Sequence, residues 1–257
     1  MLETNHFTVR SEKVTHPLTL AVCPDFHDGD VRALCHAVQG ADAILIVGDL
    51  VDRHAHCSNG YDNAVRFLED APDIAPTFYS LGNHERKHQG LGDYWPQVTR
   101  SRVTVLDDGF VHFGGIVLGG LSSIRAGEDA PDRAVQLAQK QPFLRDMAAQ
   151  EGYKLLMCHH PEYFAEAVSA HAIDLTLSGH AHGGQVRIGR QGLYAPGQGI
   201  LPRLTSGFYA QERLLVSRGV TNATWAPRIH CACEVILLHL MGEDERPNCD
   251  ECKNIGR

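Results

Sequence analysis

Five apolar runs in this chain each lead into residues able to bind a metal ion. The run Leu18–Val22 is followed by Asp25 and His27, and Ala43–Val47 by Gly48, Asp49 and Asp52. Thr77–Leu81 leads into Gly82, Asn83, His84 and Glu85, Lys154–Cys158 into His159, His160, Pro161 and Glu162, and Asp174–Ser178 into Gly179, His180 and His182. Singly these are weak signals: Gly-Asp after a strand is a common turn, Asn-His an ordinary loop, His-x-His a surface pair. Their recurrence at five equivalent positions gives them a shared context. Carboxylates, one amide oxygen and imidazoles suit Zn, Mn or Fe ions better than Mg or Ca, which prefer oxygen shells. The candidate ligands are Asp25, His27, Asp49, Asn83, His159, His180 and His182. One tetrahedral zinc takes four ligands. The larger set fits two ions sharing a carboxylate, about 3.5–4 Å apart, which would lower the pKa of a shared water and clamp a phosphoryl oxygen.

The elements that must carry these groups can be read from periodicity. Leu18–Val22, Ala43–Val47 and Thr77–Leu81 read as buried strands, with helices over Asp30–Val38, capped by Asp30, and Tyr61–Asp70, ended by the breaker "APDIAP". Such β-α-β-α-β units mark an α/β sheet. The ligand crevice of an open α/β sheet lies at the carboxyl ends of its strands, where the five motifs stand. Further on, Val103–Leu121 alternates strand and turn, with Asp108-Gly109 as a hairpin signal. A helical stretch from Asp132 to Gln150 is interrupted by Pro142, and a helix is expected near Tyr163–Ala170. Lys154–Cys158, Asp174–Ser178, Gly184–Ile188, Arg213–Ser217 and Glu234–Leu240 read as strands. The Gly/Pro-rich stretch Gly189–Leu204 reads as a long loop controlling access, with Tyr194, Phe208 and Tyr209 either walling the site or filling core. The expected organisation is one domain, 1–241, of two packed sheets with helices outside, and a polar tail, 242–257.

The composition is that of a soluble globular chain: 257 residues, 43% hydrophobic and 21% charged. No apolar window is long enough for a membrane span. The N-terminus lacks a secretory pattern, so the expected compartment is the cytoplasm, with peripheral membrane attachment left open. A net charge of −8 argues against a nucleic-acid partner. The 16 histidines exceed what the motifs use, and His6, His16, His36, His56, His112 and His171 stand outside them. The eight cysteines read as free thiols. Cys231, Cys233, Cys249 and Cys252 have a spacing open to zinc, or to two strand residues and a polar tail.

The series D-x-H (Asp25, His27), G-D-x-x-D (Gly48–Asp52), G-N-H-E (Gly82–Glu85), H before H-P (His159) and G-H-x-H (Gly179–His182) resembles the calcineurin-like metallophosphoesterases. "GHAHGGQVRI" and "VSRGV" look like the bacterial phosphodiesterase branch that includes UDP-diacylglucosamine hydrolases. The resemblance implies a four-layer α/β/β/α sandwich of two mixed sheets flanked by helices. It assigns Asp25, His27, Asp49 and His182 to one ion and Asp49, Asn83, His159 and His180 to the other, with Asp49 bridging. His84 would contact the phosphoryl group or protonate the leaving oxygen, and Asp52 and Glu85 would orient ligands and His84. His160 is left as a packed neighbour or a participant, and Arg53 as a phosphate contact or a solvated side chain. The expected activity is hydrolysis of a phosphomonoester, phosphodiester or pyrophosphate, on a small-molecule or lipid-precursor substrate, by direct attack of a hydroxide bridging two Mn, Fe or Zn ions. The rival readings are a non-catalytic scaffold on the same fold and a dinuclear amide or lactam hydrolase.

Overall fold

The computed structural model describes residues 2–52, 61–87, 94–125, 127, 129–222 and 227–243. The first half runs β1 (Leu2–Arg10), β2 (Leu18–Val22), α1 (Val31–Ala37), β3 (Ala43–Val47), α2 (Asp62–Ile74), β4 (Thr77–Ser80), α3 (Asn83–Lys87), α4 (Tyr94–Arg100) and β5 (Thr104–Val105). The second half runs β6 (Gly109–Phe113), β7 (Ile116–Leu121), α5 (Arg133–Gln139), α6 (Gln141–Ala148), β8 (Tyr153–Cys158), β9 (Leu175–Ser178), the short strands β10 (Arg187–Ile188), β11 (Gln191–Gly192), β12 (Tyr194–Ala195) and β13 (Gly199–Ile200), then β14 (Gly207–Tyr209), β15 (Leu214–Val216) and β16 (Cys233–Met241).

Two six-stranded mixed sheets result, ordered β1-β16-β2-β3-β4-β5 and β14-β15-β9-β8-β7-β6. In the first, β2, β3, β4 and β5 are parallel; in the second, β7, β8, β9 and β15 are parallel. The strands are apolar on both faces because both faces are covered. In β3, Ile44 and Ile46 pack among Leu34, Phe67 and Leu68 of the α1 and α2 helices. Its alternate residues Ala43, Leu45 and Val47 face the other sheet, with Leu118, Leu155, Met157 and Leu177. In β8, Leu156 and Cys158 turn outward to join Leu137, Leu144 and Met147 of α5 and α6. Helix, sheet, sheet and helix thus form the four layers that the resemblance implies.

Local signals explain most boundaries. The Asp30 carboxylate accepts the Ala33 amide at 3.1 Å and caps α1. Pro142 sits in the first turn of α6, so it divides two helices where an interior proline would break one. Several expectations need correction. The α2 helix continues through Pro72 to Ile74, because buried Phe67, Leu68 and Ala71 hold it on the core past the lost backbone bond. The β6–β7 reversal is at Gly114-Gly115, both at positive φ, and not at Asp108-Gly109. Asp108 instead accepts the Ser122 amide and pairs with the buried Lys140 ammonium. Only Arg187–Ile188 of the expected strand Gly184–Ile188 is extended, Gly184 closing a tight turn. The stretch read as a loop folds into two antiparallel pairs, β10–β11 and β12–β13. The helix near Tyr163 is one wide turn, Phe164–Val168.

The polar N-terminus forms β1, parallel to β16 along nine residues, and its side chains alternate between exposed and half-buried at the sheet edge. Cys23, Cys35, Cys158, Cys231 and Cys233 are free, while Arg53, Cys249, Cys252 and most of the 242–257 tail lie outside the described residues. Among the described residues no helix is long and apolar enough to cross a membrane. Truncating Leu155, fully buried between the sheets, to alanine should lower unfolding free energy by about 2–5 kcal/mol in urea titrations.

Candidate metal centre

The ends of β2, β3, β4, β8 and β9 meet at one edge of the sandwich. The Asp25 and His27 amides bond the carbonyls of Gly48 and Asp49, each at 3.1 Å, stitching the first motif to the second. The Gly179 amide bonds the His159 carbonyl, joining the fourth to the fifth. The two sheets are tied across by His159, whose Nδ1–H donates to the Val47 carbonyl at 2.9 Å. That bond leaves Nε2 directed at Asp49 Oδ2, 3.2 Å away, and Asp25 Oδ1, 3.8 Å away. His27 Nε2 and His182 Nε2 stand 3.7 and 3.8 Å from Asp25 Oδ1.

Three overlapping sets of donor atoms result: Asp25, His27 and His182; Asp49, His159 and His180; and His27, Asp49 and His84. Most of these separations, at 3.7–3.8 Å, are too long for direct hydrogen bonds. They suit donors facing a common ion, since ligands about 2.0–2.2 Å from one ion stand roughly 3–4 Å apart depending on the angle between them. His27 Nδ1 and Nε2, Asn83 Oδ1 and His159 Nε2 are buried with no hydrogen-bond partner among the described residues. Buried lone pairs of this kind are costly unless something binds them. The donor set therefore fits cations.

Backbone conformation holds the donors. Asp25, His27, Asp49, His180 and His182 all have positive φ, between 46° and 65°. Asp and His tolerate this left-handed region better than most residues but at a strain, which surrounding contacts must offset. The glycines of the motifs allow the close approach. A Cβ on Gly82 would strike Asp49 Oδ1, and one on Gly179 would lie 2.5 Å from Asp25 Oδ2. Glu85 is the chief support. Its carboxylate accepts the amides of Leu50 and Gly82, both at 2.7 Å, Asp49 at 3.0 Å and Val51 at 3.3 Å. It acts on the loop that carries Asp49.

Burial opposes ionisation of Asp25, yet the imidazoles of His182, His27 and His159 hold its carboxyl well below the usual range. Asp49 is likewise lowered despite burial, by His159, His84 and His27. Burial disfavours charge on His159, but Asp49 and Asp25 raise it to about 10. Burial dominates at His180, His182 and His84, which fall to about 3, 4 and 4 and are neutral near pH 7. Burial also disfavours charge on His27, but Asp25 and Asp49 raise it, so two buried carboxylates face two protonatable imidazoles whose protons a bound cation would replace.

The site gathers the motif residues at the strand ends. His84 donates its amide to Asp49 Oδ1 at 2.9 Å, and its ring Nδ1 faces the Val51 carbonyl at 3.2 Å, leaving Nε2 toward Asp49 Oδ2 at 3.6 Å. His160 hydrogen-bonds Ser123 Oγ and stacks on Tyr163 and His180, with ring centroids 4.0 Å from the latter. Asp52 is half-buried beyond the Glu85-bound turn. Phe208 packs edge-on against Phe7, and the Tyr209 hydroxyl accepts the Thr205 and Ser206 amides, so neither walls the centre. Gly197, in the β12–β13 turn, lies against it: a Cβ there would be 3.5 Å from His180 Nε2 and 3.2 Å from Glu162 Oε1.

Two residues escape motif reading. Glu162 has both carboxylate oxygens buried beside this centre with no partner among the described residues. The Arg228 guanidinium lies 3.2 Å from His182 Nδ1 and donates to the Arg218 and Thr221 carbonyls. "HHPE" contained a signal for Glu162; nothing in sequence points Arg228 at His182.

Two mixed sheets back to back, with Asp and His clustered at the ends of their parallel strands, define a metallophosphoesterase-type α/β fold. Comparison with known proteins agrees: the profile described as calcineurin-like phosphoesterase matches residues 18–184, and the chain belongs to that family. An uncharacterized metallophosphoesterase of Campylobacter jejuni, Cj0846, is 32% identical over 221 residues, covering 80% of this chain and 52% of its own length. An uncharacterized metallophosphoesterase of Helicobacter pylori J99 is 34% identical over 186 residues, covering 68% of this chain and 47% of its own. The chain thus spans about half the length of these relatives. Phosphodiesterase YaeI of Escherichia coli is 27% identical over 217 residues, covering 79% of this chain and 72% of its own.

Glu85→Gln should destabilise the protein by about 2–3 kcal/mol and reduce bound metal, because an amide leaves part of the backbone-donor set unmatched; calorimetry and elemental analysis check this. Chelator-treated protein should show its highest Tm near neutral pH. As the pH falls toward 4, the unfolded chain takes protons that folded His84, His180 and His182 refuse, so stability falls with acid. On the alkaline side, the contribution of protonated His159 fades as pH climbs toward 10. Added Mn²⁺ should remove the alkaline decline, since a coordinated imidazole carries no proton at its ligating nitrogen. A chelated protein whose Tm is flat from pH 5 to 9 would contradict the assignment.

Proposed function

We propose that the protein is a dinuclear metal-dependent phosphoesterase acting on a phosphodiester. The observation that carries this reading is Asp49, whose carboxylate belongs to two donor sets at once, one with His27 and His84 and one with His159 and His180. Asp25, His27, Asp49 and His182 would hold one ion, and Asp49, Asn83, His159 and His180 the other. Such ions, of Mn, Fe or Zn, would supply Lewis acidity and an activated water for in-line displacement at phosphorus.

The chain's own residues provide the rest. His159 is held by the Val47 carbonyl with Nε2 inward, and Glu85 keeps the Asp49 turn fixed, so little reorganisation accompanies binding. His84 Nε2 faces into the site from the segment whose amide binds Asp49. Burial keeps that ring neutral in the free protein, so it can serve as general acid only once an anionic phosphoryl group raises its pKa. Its short tether to Asp49 also makes it a contact for a phosphoryl oxygen. The printed name of the Escherichia relative, a phosphodiesterase, supports a diester substrate. The likeness to UDP-diacylglucosamine hydrolases makes a nucleotide-linked lipid precursor one member of the substrate class to be tried.

Asp49→Asn should lose both ions together in elemental analysis, with hydrolysis of a phosphodiester falling roughly a hundredfold or more; full retention of one ion would contradict the shared carboxylate. His84→Ala should keep its metal yet lose about 10²–10⁴-fold toward an alkyl diester and much less toward a nitrophenyl diester. Equal losses on both would remove the acid role. Phosphomonoesters, diesters, nucleotide-sugar pyrophosphates and a lactam, assayed side by side with Mn²⁺, test the bond class.

A further inference from the structure

The two small hairpins beside the metal centre expose large apolar side chains. Ile188, Tyr194, Ile200 and Leu201 are 71%, 53%, 82% and 60% exposed, and Ile229, bridged to Val186 beside them, is 46% exposed. Among the described residues only two other large hydrophobic side chains, Val105 and Val135, are comparably open. Tyr194 and Ile200 are register partners and project from one face of their hairpin. Leu201 holds φ at +54°, an unfavourable conformation for a leucine, while its side chain points into solvent. The hairpins are joined to each other: the Gln191 side-chain amide donates to the Pro202 carbonyl and the Leu201 amide to the Leu193 carbonyl.

Charge is segregated to the same place. The chain carries −8 overall, yet no Asp or Glu occurs between Asp174 and Glu212, while Arg187, Arg190 and Arg203 do. All three line one groove of about 580 Å³, together with Glu3, Glu234 and Arg218, which pair with one another. Arg187 is bonded to backbone carbonyls and Thr205; Arg190 and Arg203 are exposed. Exposed aliphatic side chains and a tyrosine on two small hairpins, with exposed arginines beside them and no acid in that stretch of chain, match the interface of an anionic bilayer. A flat patch recessed among polar residues would instead fit a protein partner.

We propose that the β10–β13 hairpins seat the protein on an anionic phospholipid surface, with the metal centre held at that interface. Ile188, Tyr194, Ile200 and Leu201 enter the headgroup layer, and the exposed Arg190 and Arg203 meet lipid phosphates. Docking needs no turnover, so it stands apart from the assignment of the reaction.

Co-sedimentation with vesicles of phosphatidylglycerol and phosphatidylcholine, against phosphatidylcholine alone, tests this. The full chain should partition onto the anionic vesicles and be released by high salt. Arg190→Ser/Arg203→Ser should lower that partition about thirtyfold, from two lost phosphate contacts. Ile188→Ser/Ile200→Ser should lower it roughly tenfold or more. Both variants should keep the wild-type melting temperature and hydrolysis of a soluble nitrophenyl diester. Absence of vesicle binding, equal binding to neutral vesicles, or binding unchanged in both variants would overturn the proposal. So would sedimentation velocity showing a wild-type dimer that the isoleucine variant splits, which would make a second copy of the chain the occupant. If the wild type binds vesicles but hydrolyses no phosphoester, the docking surface stands and the reaction assigned above falls.

Discussion

Asp25 and Asp49 are almost fully buried at the edge of a sandwich whose inter-sheet core is apolar, and the positive charge that meets them comes from neighbouring imidazoles. An isolated carboxylate in such surroundings would take up a proton. Neighbouring imidazoles keep both ionised instead, at the price of raising His159 until it holds a proton near neutral pH. A cation in place would meet both carboxylates without that proton. Metal binding must then displace that proton, so the site's affinity and its protonation are one equilibrium.

The same requirement accounts for the local backbone. Ions are gripped by several groups at once, so strand ends from two sheets must approach more closely than ordinary side chains permit. Gly82 and Gly179 remove the Cβ atoms that would strike Asp49 and Asp25. Positive φ at Asp25, His27, Asp49, His180 and His182 turns their side chains back over the strand ends. Glu85 opposes the strain by collecting four backbone amides from two motifs with one carboxylate. A single acidic side chain therefore fixes the turn on which Asp49 depends.

The segment after His182 links the centre to its surroundings. Gly184 packs directly on Gly192, and Gly197 reaches His180 and Glu162, so the two hairpins are extensions of the turn that carries His180 and His182. Glu162, buried beside them without a partner among the described residues, is a second point where this centre exceeds its motifs. The exposed apolar side chains and the acid-free stretch of chain give that side of the molecule a character unlike the rest of its acidic surface.

The sequence alone determined the chemical inventory and most of the frame. Apolar runs ending in Asp, Asn or His are local patterns, and buried parallel strands bring their carboxyl ends to one edge, so the gathering of these residues and both sheets were legible. Asp30 and Pro142 set helix ends by bonds within a few residues, which is also local. Tertiary structure alone decided whatever depends on distant partners. The polar N-terminus becomes β1 only because β16 offers it a register, and Asp108 is drawn from a hairpin turn to Lys140 and Ser122. Glu85 serves the Asp49 turn, and Arg228 meets His182 from far along the chain. No periodicity encodes such contacts, because their energy resides in groups that become neighbours only when the sandwich closes.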